Sequence, residues 1–130
     1  MREITYMGWD KEQRFLFTVG GLGFQDGKLT LIEAPVRQES DEYDSFPITG
    51  YELMEYTGLL DGWGEMIFEG SIVRLDTDEF WRVAYEAGQF VLQSRDGTIQ
   101  RSLALYADDP KLRVIGNIYE DDDLFPIEKS

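Results

Sequence analysis

The chain has 130 residues with 26 acidic and 12 basic side chains, a net charge of −14, which disfavours binding to nucleic acid or an anionic membrane, where the phosphate charge rewards cations. It has no cysteine and no histidine, which excludes disulfides, thiolate catalysis and sulfur-ligated metals and removes the side chain best suited to proton transfer near neutral pH. Hydrophobic residues make up 42%, enough for one domain or two small subregions sharing a core, and no apolar run reaches the roughly 20 residues of a membrane span.

In chain order, the short apolar runs 3–7 and 14–19 read as a hairpin whose polar loop is Trp9, Asp10, Lys11 and Glu12. Asp26-Gly27 signals a two-residue turn pairing a strand around Leu22–Gln25 with Lys28–Glu33. Residues 34–47, with two prolines around Glu39, Asp41, Glu42 and Asp44, read as a flexible solvated loop, and their spacing fits no EF-hand. Residues 51–56 read as a strand, because Gly50 and Gly58 leave little room for a helix.

Residues 57–75, TGLLDGWGEMIFEGSIVRL, are the most constrained stretch. Gly58, Gly62, Gly64 and Gly70 punctuate it, and the pattern predicts a tight loop, a bend and a strand. A polar turn at 76–79 leads to strands at 80–86 and 89–93 around Ala87-Gly88, another hairpin signature. Residues 98–106 fit either a strand or a short helix turning Leu103, Leu105 and Tyr106 inward. Residues 113–119 are the last strand, and the acidic tail from Glu120 reads as a solvated terminus.

Thr57, Gly58, Asp61 and Gly64 are read as turn formers, with Asp capping its own backbone and Gly taking positive φ. The same reading makes Gly70 structural, and Asn117, after Gly116, a residue that bonds a neighbouring loop such as 57–64. Trp63 sits between two glycines at the loop tip; it is either a contact anchor or a ring folded back onto the sheet. Trp9, Phe80, Trp81, Tyr85, Phe90 and Tyr119 are assigned to core or sheet faces.

Three blocks carry a family resemblance. Arg2, Ile4, Trp9 and Asp10 fit an N-terminal block; Thr57, Gly58, Leu59, Asp61, Gly64, Ile67, Glu69, Gly70, Ile72 and Val73 fit a central one; Val114 to Glu120 fit a C-terminal one. Together they resemble the YopX family of phage and prophage proteins, with Met7, Gly8, Phe68 and Ser71 departing from its usual pattern. The resemblance implies a small, mainly β protein of phage or prophage origin and implies no activity.

The expected fold is mainly β with little helix: an N-terminal hairpin sheet over residues 1–48 and a small, strongly bent SH3-like barrel over 49–130, with the C-terminal block returning to close the sheet. No catalytic constellation, cofactor motif or metal site is expected. The expected function is that of a non-enzymatic phage or prophage accessory protein in the host cytoplasm that binds another protein through Trp63. Two alternatives carry less weight. One is an acidic imitator of DNA that occupies a nucleic-acid-binding protein; the other is a carboxylate-metal enzyme. Homo-oligomerisation is left open.

Overall fold

Short β-branched and aromatic runs broken every few residues by Gly, Pro or Asp leave no segment long enough for a stable helix. The computed structural model describes residues 5–75, 79–107 and 109–121. Among these residues, twelve strands account for the regular structure, with single 3-10 turns at Ile48–Gly50 and Leu103–Tyr106. The contacts divide the chain between Glu55 and Tyr56 into two units. Arg2 and Ile4 of the N-terminal block, residues 76–78 of the expected polar turn and the tail beyond Asp121 lie outside the described residues.

The first unit contains β1 (Tyr6–Asp10), β2 (Phe15–Thr18), β3 (Gly21–Gln25), β4 (Lys28–Pro35), β5 (Tyr43–Pro47) and the first half of β6 (Tyr51–Leu60). β1 pairs antiparallel with β2 and with residues 51–55 of β6. Trp9 and Asp10, expected in the hairpin loop, are strand residues. The turn is instead Lys11–Arg14, because Asp10 Oδ1 accepts the N–H groups of Glu12 and Gln13 at 3.0 and 2.9 Å and so closes the strand itself. Gly8, one of the departures from the family pattern, faces Phe17 across the ladder, and a Cβ there would lie 2.3 Å from the Phe17 ring.

β3, β4 and β5 form a three-stranded sheet. Asp26 and Gly27 both have positive φ, 51° and 78°, as the two-residue turn requires. Residues 43–47, expected in a flexible loop, pair with β4 from Pro35↔Tyr43 to Leu31↔Pro47. As an edge strand with only Phe46 half-buried, β5 has no alternating apolar pattern to betray it, and proline is tolerated there. Phe15, Phe17, Ile32 and Ala34 form the core of this unit, with Phe46 and Tyr51 packed against it.

The second unit contains the rest of β6, β7 (Met66–Phe68), β8 (Ser71–Leu75), β9 (Glu79–Glu86), β10 (Gln89–Gln93), β11 (Gln100–Ser102) and β12 (Leu112–Asn117). The last five strands form one sheet in the order β11-β10-β9-β8-β12. The C-terminal block therefore does return, pairing antiparallel with β8 from Leu112↔Leu75 to Asn117↔Ser71. The mainly β class is as expected, and this sheet order is compatible with a small bent barrel. Ala87 and Gly88 make the anticipated hairpin with φ of 51° and 83°.

Two expectations need correction here. Thr57–Leu60, read as part of a loop, continue β6; Gly58 at φ 84° lets the strand shift register between Tyr56 and Leu60 without ending. Residues 98–106 are neither one strand nor one helix but β11 followed by a 3-10 turn. That turn buries Leu103 and leaves Leu105 78% exposed, since one short turn cannot aim both inward. Ile67, Val73, Trp81, Val83, Leu92, Leu103 and Leu112 make the core.

Candidate functional site

The tight turn of the central stretch is Asp61–Glu65, between β6 and β7. Asp61 is 4% exposed, and both its carboxylate oxygens are used. Oδ1 accepts the N–H groups of Trp63 and Glu65 at 2.8 and 2.9 Å, and Oδ2 accepts that of Val114 on β12 at 2.9 Å. Burial pushes this carboxyl's pKa up, but the N–H groups of Val114, Glu65 and Trp63 and the nearby Arg113 guanidinium outweigh it and hold the pKa below the ordinary value. The Gly62 N–H donates to the Leu112 carbonyl at 2.7 Å. Gly62 is required for that approach: a Cβ would meet the Asp109 carbonyl and Pro110 Cα at 2.7 Å. Gly64, at φ 84°, closes the turn by donating its N–H to the Asp61 carbonyl.

The turn is thus tied to β12 by one side-chain and one backbone hydrogen bond, and it lifts Trp63 into solvent. Trp63 is 69% exposed. The Arg113 guanidinium lies 3.6 Å from the centre of its ring, a cation–π stack. Leu60, also exposed, pairs across the hairpin with Met66. The result is a fixed aromatic prominence with apolar side chains at its base and a cation against the ring, a surface suited to contact.

The remaining motif residues brace this hairpin or the end of the sheet. Thr57 Oγ1 donates to the Ile67 carbonyl at 2.7 Å and accepts the Leu59 N–H, bridging the irregular part of β6. Ser71, another departure from the family pattern, accepts the Phe68 N–H through Oγ. Gly70, at φ 89°, donates to the Val83 carbonyl and accepts the Ile118 N–H, so it links β9 to the residue after β12. Gly116 marks a bulge in β12, and a Cβ there would meet Asp121 Oδ2 at 2.4 Å.

Asn117 does not reach the 57–64 loop. Its Oδ1 accepts the N–H groups of Tyr119 and Glu120, and its Nδ2 donates to Glu120 Oε1, so it caps its own turn. The bond to the C-terminal block runs from Asp61 instead. The sequence reading missed Arg113 and Asp121. Each acts at short range on a residue the sequence did single out, but an arginine on a strand and an aspartate in an acidic run carry no local signal of that role.

The family model described as YopX protein matches residues 5–125. No curated protein matches the chain. Among solved structures, protein EF1440 from Enterococcus faecalis is 25% identical with a TM-score of 0.69, the alignment covering 96% of this chain and 99% of that one. Protein yopX from Bacillus subtilis is 20% identical with a TM-score of 0.61, covering 96% and 98%. This chain belongs to the YopX family.

Proposed function

We propose that this YopX-family protein is a non-enzymatic phage or prophage accessory protein that acts in the host cytoplasm by binding another protein, with Trp63 as the anchor. The observation that carries the reading is the exposure of Trp63 on a turn whose backbone is held at both ends by Asp61. A large aromatic held out in water gains much on docking, and a braced turn has little freedom left to lose. Tryptophan and arginine are also the residues most enriched at interface hot spots, and here they stack on each other.

The test is affinity capture from phage-infected host lysate with wild-type protein and Trp63→Ala in parallel. The expected outcome is a specific protein recovered by wild type, whose affinity for purified Trp63→Ala falls by roughly tenfold or more, the scale of a hot-spot residue. Equal binding by both proteins, or recovery of chaperones alone, overturns it. The net charge of −14 supports a second reading, in which the acidic surface imitates nucleic acid. A partner that binds DNA, is displaced by DNA and ignores Trp63→Ala would favour that reading.

A further inference from the structure

In the first unit, the Lys11–Arg14 turn and the 3-10 turn at Ile48–Gly50 enclose an open cleft of about 500 Å³. The Lys11 backbone N–H donates to the Gly50 carbonyl at 3.1 Å and ties the two turns together. The apolar lining is Phe46, Pro47 and Tyr51. Tyr51 is fixed from within, edge-on to Phe17 at 5.7 Å and tilted against Phe46 at 6.0 Å. The anionic lining is Asp10, which is buried, and Glu12, which is exposed. Burial first, then the charges of Asp10 and Glu12, raise the pKa of the Tyr51 phenol, so the field of both carboxylates reaches this ring.

The cleft also contains a cation of its own. The Lys11 ammonium donates to the Thr49 carbonyl at 3.3 Å and pairs at 3.1 Å with Glu52, a carboxylate outside the lining. Its charge is matched from outside the cleft, and the two carboxylates of the lining keep an excess of negative charge beside an aromatic surface. Aromatic faces and carboxylates together favour a cation over an anion or a neutral apolar group.

We propose that this cleft binds an arginine side chain of a basic protein segment, with the guanidinium over the Phe46–Tyr51 rings and its N–H groups turned toward the exposed Glu12, while buried Asp10, whose Oδ1 holds the turn, adds its charge from beneath. A planar guanidinium is weakly hydrated, stacks on aromatic rings and forks carboxylates, and an ammonium does these less well. The net charge of −14 draws a basic segment in from a distance. The inference does not rest on Trp63, which belongs to the other unit.

The test is an NMR titration of the 130-residue protein with N-acetyl-arginine amide, using the isosteric, uncharged N-acetyl-citrulline amide as control. The expected result is saturable shifts at residues 10–13 and 46–51 with the arginine probe and none with citrulline. Glu12→Gln, an exposed substitution that leaves the fold intact, should weaken binding about three- to fivefold, the size of one exposed charge contact, and Trp63→Ala should leave it unchanged. Absence of saturable shifts, equal shifts from citrulline, or an affinity indifferent to Glu12→Gln would each overturn the proposal. None of these results bears on Trp63 as an anchor, so the two ideas fail separately.

Discussion

Asp61 is the side chain that holds the turn carrying the exposed tryptophan. Its carboxylate accepts three backbone N–H groups, two from its own turn and one from β12. Asp61→Asn keeps an acceptor for Trp63 and Glu65 but sets an amide N–H₂ against the Val114 N–H, donor against donor. The expected loss is about 1–3 kcal/mol of stability, the cost of leaving a buried group without its partner, read from urea unfolding. The pH dependence follows from the lowered folded-state pKa of Asp61. Stability from this group is fully present above the ordinary carboxylate pKa and is lost as pH falls through the lower folded-state value. The gap between wild type and Asp61→Asn should therefore be constant near neutrality and close in strong acid; a gap that stayed open at low pH would show that the charge is not what holds the turn. That Asp61 would cap its own turn was legible, because an aspartate before Gly-x-Gly has few other uses. Its third bond was not, because Val114 lies 53 residues away and nothing local marks it. Asn117 was misassigned for the complementary reason: the nearer choice, its own following turn, wins over a distant loop.

At the scale of elements, turns were more legible than strands. Asp26-Gly27 announced its hairpin because aspartate and glycine both tolerate positive φ; at Ala87-Gly88 the glycine carried the signal, and Ala87 takes φ 51° against its preference. β5 and the end of β6 were hidden. β5 is a mostly exposed edge strand ending in proline, and β6 carries a glycine that suggests a break but only shifts the register. Gly70 is the clearest junction. It sits at φ 89° while its N–H and carbonyl serve β9 and the residue after β12. Gly70→Ala should cost upward of about 1 kcal/mol, since alanine resists that backbone region and the hydrogen bonds forbid relaxation. Thermal melting beside the exposed control Glu39→Ala checks it. Equal melting temperatures would mean that the junction can adopt another backbone conformation at no cost. If Gly70→Ala melts early yet its folded fraction still binds the partner proposed to dock on Trp63, the glycine is scaffold and the contact surface is intact.

For the molecule as a whole, charge is the property read most directly from composition, and it carries a consequence for stability. From Tyr51 onward there are 17 acidic and 7 basic residues, so the excess is concentrated in the part of the chain that contains the five-stranded sheet. Folding gathers these carboxylates into a smaller volume than the unfolded chain offers, and mutual repulsion opposes it. The favourable electrostatics described above are of two kinds. Asp61 is buried and bonded to backbone groups, which salt screens little; the Lys11–Glu52 pair is half exposed, and such pairs contribute at most about 1 kcal/mol. Screening should therefore remove more repulsion than attraction. The expected outcome is that sodium chloride raises the melting temperature at neutral pH, with most of the rise complete within the first few tenths molar, where the screening length drops below the spacing of surface charges. The rise should shrink at pH 4, where exposed carboxylates begin to take up protons and the repulsion is already reduced. A melting temperature that fell on adding salt at neutral pH would mean that surface attractions outweigh the excess of 14 negative charges, and the acidic surface would then be a stabilising network.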